Sequence, residues 1–161
     1  MSRSVLPTIP LVIFGIIEPA LLVWGYISGT RDPFTFFADQ APNHSVTASA
    51  FTPQSEILTL QIINIYALVL APAAVACSFT RDAFTAKVYL FFVALADWGH
   101  MYAVYKGVGP EYFWNVQGWN NMVAGGVGVS AALNVFRWAT LLGLFGSVKS
   151  TFLVETGKKR A

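Results

Sequence analysis

Hydrophobic positions gather in four long blocks, Leu6–Ser28, Ile57–Phe79, Val88–Tyr105 and Val123–Val148, and do not alternate with polar ones. Half-buried strands would show a period of two. These blocks show none, and their lengths of 23, 23, 18 and 26 residues match the roughly 20 that a helix needs to cross a bilayer core. The pattern predicts an all-α integral membrane protein, a four-helix transmembrane bundle formed as one domain by residues 1–161. Residues 29–56 and 106–122 become the loops at one end of that bundle, and a short turn joins the second and third spans at the other.

Composition sharpens this picture. Hydrophobic residues make up 55% of the 161 and charged residues 11%, so little polar chain is left for a soluble domain. Arg3 before an apolar run has the look of a secretory leader, but Glu18-Pro19 interrupts the run and no A-x-A cleavage pattern follows; the first span is expected to be retained. The single cysteine, Cys77, excludes an internal disulfide framework and a cysteine-rich metal site. A net charge of +2, with the basic residues at span edges, gives no reason to expect nucleic acid as a partner.

Those basic residues set an orientation. Arg3, Arg81, Lys87, Lys149, Lys158, Lys159 and Arg160 fall on the termini and the second connection, whereas Arg31 and Lys106 fall on the other two. The positive-inside rule then puts both termini in the cytoplasm and loops 29–56 and 106–122 in the lumen. Asn43-His44-Ser45 in the first loop is a glycosylation sequon, which makes Asn43 a candidate acceptor. The C-terminal Lys158-Lys159-Arg160-Ala161 resembles a di-lysine retrieval signal of the endoplasmic reticulum; a basic cytoplasmic tail is the alternative.

Candidate chemistry comes from what does not belong at membrane depth. Glu18, Asp97 and Arg137 each interrupt a different apolar block, and ionisable groups there are costly unless they face one another or a cavity. Pro19 cannot donate to the carbonyl of Gly15, so the first span is expected to kink beside Glu18. Gln61 with Asn64, Asp97 with His100, and Asn134 with Arg137 each recur at i and i+3, on one face of a helix. Each helix would thus bring a polar group to a shared interior, with Tyr102 close by. The 107–122 segment, dense in aromatics and amides, reads as an interfacial lid or as an aromatic belt. Gly128-x-x-x-Ala132 and Gly143-x-x-Gly146 read as small-residue packing faces.

Two readings of the charges stand side by side. Glu18 or Asp97 could pair with Arg137 as structural glue. Alternatively, two acids against one arginine leave one carboxylate underpaired and ready to hold a proton beside an ionised one, the arrangement used for acid–base chemistry. His100, one turn from Asp97, could be oriented by that carboxylate. No metal-ligand spacing, serine elbow, phosphate loop or dinucleotide fingerprint is present, so no cofactor is expected.

Ile17-Glu18-Pro19, Ala96-Asp97-Trp98-Gly99-His100-Met101-Tyr102, and Gly109-Pro110-Glu111-Tyr112-Phe113-Trp114-Asn115 with Trp119-Asn120 resemble a family of small four-span fungal membrane proteins. That resemblance covers nearly the whole chain. It implies secondary metabolism beside polyketide or terpenoid enzymes and opening of a lipophilic, polyene-derived epoxide, as hydrolase or cyclase. It also marks Glu18, Asp97, His100, Glu111, Trp114 and Asn115 as important without assigning their roles. The layout is similar, by analogy, to the sterol isomerase and emopamil-binding superfamily and to fungal membrane terpene cyclases.

The expectation is then a protonated acid, Glu18, acting on an epoxide while Asp97 with His100 serves as base. Asn64, Tyr102, Glu111, Trp114, Asn115 and Arg137 are expected to contact the substrate. Proton-initiated isomerisation or terpene cyclisation is the first alternative, with Trp98, Trp114, Trp119 and Trp138 available to steady a carbocation. A non-catalytic lipid binder or a scaffold for other pathway enzymes is the second. Expected partners are a lipophilic small molecule and membrane lipid, in the endoplasmic reticulum membrane.

Overall fold

A computed structural model describes residues 4–150, and every regular element among them is helical. Arg3 and the tail from Lys158 to Ala161, which carry part of the orientation argument and the di-lysine motif, lie outside the described residues. Four long helices and one short one account for the fold: α1 (Thr8–Arg31), α2 (Pro33–Ala38), α3 (Pro53–Phe79), α4 (Ala83–Trp114) and α5 (Asn121–Leu141).

Side-chain caps start most of them. Asp32 accepts from the Thr35 N–H and Thr52 from the Ser55 N–H, each followed by a proline at the first helical position. Asp82 accepts from the Thr85 N–H at the start of α4, and Asn120 from the Val123 N–H at the start of α5.

The ends depart from the expected spans for identifiable reasons. α4 runs past residue 105, through a break at Gly109 (φ 78°), to Trp114, so much of the expected third loop is helical. α5 stops at Leu141, short of Val148. There the Gly143 N–H donates to the Thr140 carbonyl and the Leu144 N–H to the Ala139 carbonyl, a Schellman closure with Gly143 at φ 79°. Gly143 and Gly146, expected on a helix face, are therefore turn residues. The close small-residue contact lies on α1 instead: a Cβ on Gly29 would sit 2.8 Å from Ile63, and one on Gly25 3.2 Å from the Tyr66 ring.

α1 packs along α3, and α4 along α5. The pairs join at both ends. At one, Val5, Leu6, Phe14, Ala76, Cys77, Ala86, Leu90 and Val148 form an apolar cluster, with the Ser4 hydroxyl donating to the Cys77 carbonyl and the Ala83 N–H to Ser150 Oγ. The start of the described chain, the α3–α4 turn and residues 146–150 thus meet at the same end. At the other end Met101, Val108, Phe113, Val123 and Val127 cluster, and the first loop is tied across by Asn43 and Asn120.

Large apolar side chains such as Trp24, Leu68, Phe92 and Val135 stand exposed on the outer faces of all four long helices, a surface that water does not tolerate at this extent. α1, α3 and α5 are long and apolar enough to cross a membrane. The 32-residue α4 has the length, but Lys87, Asp97, His100 and Lys106 dilute its apolar character.

Candidate functional site

Three wide, π-type turns interrupt the long helices: Ile13–Ile17 in α1, Val75–Phe79 ending α3, and Ala124–Val129 in α5. The first arises where Pro19 has no N–H to give. The Gly15 carbonyl receives the Ser78 hydroxyl, from the second wide turn, at 3.5 Å. The expected distortion beside Glu18 is therefore a π-turn with a borrowed donor, and Glu18 is only 5% exposed.

Arg137, 1% exposed, lies between the two acids. Its Nη2 donates to Glu18 Oε1, and its Nη1 donates to Asp97 Oδ2 at 2.5 Å. One turn earlier on α5, the Asn134 amide donates to the Ala94 carbonyl at 2.6 Å and to Asp97 Oδ2 at 3.3 Å, fixing that carboxylate against its own helix. The fully buried Phe14 ring lies 5.3 Å from the guanidinium carbon, a cation–π contact in a dry setting. α1, α4 and α5 each contribute one charged member to this triad.

The triad is not saturated. Glu18 Oε2, Arg137 Nε and, from α4, the Tyr89 hydroxyl are buried without a hydrogen-bond partner. Two carboxylates also face a single guanidinium, so the cluster carries a surplus negative charge unless one acid holds a proton. Unpartnered atoms and uneven charge mark a place where a proton or a polar atom can be accepted.

Other expected site residues lie elsewhere. His100 is exposed, its Nε2 close to Gly126, where an added Cβ would meet it at 3.2 Å. Among the described hydrogen bonds none joins His100 to Asp97, whose Oδ2 takes both Arg137 and Asn134. Asn64 and Gln61 are exposed on α3, whose buried face is Thr59, Ile63, Ala73, Ala76 and Cys77. The shared polar interior is therefore built by α1, α4 and α5 without Asn64. Tyr102 is 63% exposed on α4.

Glu111 and Asn115 sit at the far end, Glu111 about 20 Å along α4 from Asp97 and Asn115 just past the end of the helix. With Asn43, Val108, Gly109, Pro110 and Tyr112 they line an open pocket of about 490 Å³. Trp114 beside them is exposed. Asn43 Nδ2, the atom a glycan would use, donates at 2.8 Å to the Val108 carbonyl, next to the Gly109 break. The 115–120 turn is held by its own side chains, Tyr112 to the Gly118 carbonyl at 2.7 Å and Trp119 to the Phe113 carbonyl at 3.1 Å. It forms a fixed cap on the apolar cluster there.

Among the described residues no group of three or more His, Cys, Asp or Glu is placed to hold a metal ion. Sequence reasoning missed Phe14, Ser78 and Tyr89. Tyr89 alone left a signal, two helical turns before Asp97 on α4.

A family model described as a domain of unknown function, DUF7704, matches residues 3–147, and the chain belongs to that family. No curated protein and no solved structure matches it.

Proposed function

We propose that this member of the DUF7704 family crosses the membrane four times and uses its buried triad as an acid–base centre for a lipophilic epoxide. The observation that carries this reading is the sharing of one buried guanidinium by two carboxylates, with Glu18 Oε2 left free. Four crossings fit because α4 packs along α5 and joins the same two ends of the bundle. Both termini would be cytoplasmic by the distribution of basic residues, and the endoplasmic reticulum is the proposed membrane.

The chemistry follows from the unequal settings of the two acids. Glu18 sits deeper, and its free oxygen can carry a proton toward an epoxide oxygen. Asp97, whose side chain is 12% exposed against 7% for Glu18, is the more open and accepts hydrogen bonds from both Arg137 and Asn134. Glu18 gives its proton to the epoxide oxygen as one ring C–O bond breaks. The nucleophile's oxygen bonds to that carbon and loses its proton to Asp97. Water as nucleophile gives a diol, and a substrate hydroxyl gives a cyclic ether. Return of the proton from Asp97 to Glu18, past the guanidinium that touches both, resets the pair. His100, exposed on α4, is proposed as an outlet for protons toward the surface in place of the base. The choice of epoxide and of a fungal polyketide pathway rests on the residue resemblance stated above.

A second reading is favoured by the near-complete burial of Arg137: the triad as a lock that holds three helices together in a lipid-binding or scaffolding protein. Expression of wild type and Asp97→Asn in yeast separates the two. Each is fed a lipophilic polyene mono- or bis-epoxide at matched membrane levels, and products are followed by mass spectrometry. Diol or cyclic ether from wild type, reduced at least 100-fold in Asp97→Asn, is the expected result. No product from either, with Asp97→Asn poorly accumulated, would leave only the lock.

A further inference from the structure

The open pocket at the loop end takes no part in the chemistry above, and the charged group in its lining is Glu111. The amide latches at this end are construction, and what they build is a pocket with fixed walls. Asn43 ties the first loop to Val108, Gly109 breaks the helix beside it, and the Tyr112 hydroxyl pins the 115–120 turn. The volume of about 490 Å³ falls within the roughly 300–1,000 Å³ of small-molecule sites. The lining is short of free donors. Asn43 Nδ2 and the Tyr112 hydroxyl already donate to the Val108 and Gly118 carbonyls, and Pro110 has no N–H. The Glu111 carboxylate only accepts, and among the described residues no salt bridge or hydrogen bond engages it. A pocket with negative charge and few protons selects a ligand that brings a positive charge and its own donors. One carboxylate beside the apolar walls of Val108 and Pro110 is too little for a hard metal ion, which takes ~6–8 oxygens. It suits an ammonium carried on carbon.

We propose that this pocket binds an organic ammonium group on the Glu111 carboxylate, with the Asn115 amide taking a neighbouring oxygen of the same ligand. Trp114 and Val116 stand exposed beside it. In the membrane-spanning reading, such apolar side chains at a helix end lie at the level of lipid head groups. There the ammonium and phosphate of a zwitterionic lipid offer both halves of the chemistry, and a free amine in the aqueous phase offers the first. The site is separate from the triad, with Glu111 about 20 Å along α4 from Asp97. It goes beyond the acid–base reading and uses none of the triad's residues.

Three probes test it on the full-length protein in detergent: phosphatidylethanolamine and phosphatidylglycerol with the same acyl chains, followed by native mass spectrometry, and ethanolamine, followed by calorimetry. Glu111→Gln keeps the shape of the side chain and removes its charge. It is expected to weaken binding of the ammonium ligand about tenfold or more, and to leave phosphatidylglycerol, which has no ammonium, unchanged. A response of phosphatidylethanolamine alone assigns the site to a lipid head group, and of ethanolamine alone to a free amine; a response of both shows that the ammonium is enough by itself. Phosphatidylethanolamine and ethanolamine both unaffected by Glu111→Gln, or phosphatidylglycerol weakened as much as they are, would overturn the site. Should Glu111→Gln fail to accumulate, Asn115→Asp decides: a second negative charge in the lining is expected to tighten the same ligand several-fold, and no tightening would overturn the site. Because none of these titrations needs an epoxide, the pocket can fail while the enzymatic proposal stands, and the reverse.

Discussion

The centre of the bundle and its loop end both pair polar groups across elements, but they do so with different chemistry. At the centre, charged side chains satisfy one another: Arg137 holds Glu18 and Asp97, and Glu18 Oε2 and Arg137 Nε are left over. At the loop end, neutral amides satisfy backbone. Asn43 serves the Val108 carbonyl beside the Gly109 break, and Asn120 serves the Asp39 carbonyl. An amide latch is complete once made, whereas a shared guanidinium leaves a surplus charge that a proton can settle. The loop end is therefore read as construction, and the centre as the place where protonation can change.

The most drastic way to break that comparison is to remove the guanidinium. Arg137→Met leaves two buried carboxylates without a countercharge, and the expected loss is about 3–5 kcal/mol, seen as poor membrane accumulation and a low melting temperature in detergent. The triple variant Glu18→Leu, Asp97→Leu, Arg137→Met sharpens the result. Apolar replacement of a whole buried ion cluster is often neutral or stabilising, so this variant is expected to accumulate near wild-type level while all epoxide opening is lost. Were the triple variant to accumulate as poorly as Arg137→Met, the charges would be needed for assembly itself.

Cutting a latch at the loop end is expected to do less. Asn43→Ala removes one hydrogen bond to a carbonyl that stays partly accessible, about 1 kcal/mol. Limited proteolysis of residues 39–52 would report it as faster cleavage, with the triad and any turnover unchanged. A loss of turnover matching that of Asp97→Asn would instead join the two ends functionally.

The sequence made these regions legible to different degrees. Four helices followed from block length alone, because lipid demands unbroken apolar runs and water does not. Their ends were less visible. The apolar run Leu142–Val148 continues past Gly143, and only the left-handed φ of that glycine stops the helix. Lys106 suggested a loop where α4 continues. The three charges were legible as a set, since each is out of place in its own span, but their pairing was not. His100 at i+3 and Arg137 on another helix both suited Asp97, and only helix packing decides for Arg137 and Asn134. Asn64 misled for a related reason: i, i+3 spacing shows that two residues share a face without saying which way the face turns.

The smallest expected effect returns to the two ends through a pair of capping acids. Asp82 caps α4 at the terminus end, accepting from both the Thr85 N–H and the Thr85 hydroxyl at 2.8 Å, and that N–H, then the hydroxyl, hold its carboxyl below the usual carboxylate range. Asp32 caps α2 at the loop end with the Thr35 N–H at 3.0 Å and is lowered for the same kind of reason. Because the folded value lies below the unfolded one of about 3.9, each carboxylate's contribution is complete above that pH and fades as pH falls through the folded value. Neutralising the charge while keeping an acceptor, as in Asp82→Asn, should therefore lower the melting temperature slightly at pH 6, with the offset shrinking as pH falls below about 4. Asp32→Asn should show the same convergence with a smaller offset, since α2 is a single short helix whereas α4 carries Asp97 into the centre. An offset for Asp82→Asn that persisted unchanged to pH 2.5 would assign the loss to altered cap geometry and not to charge.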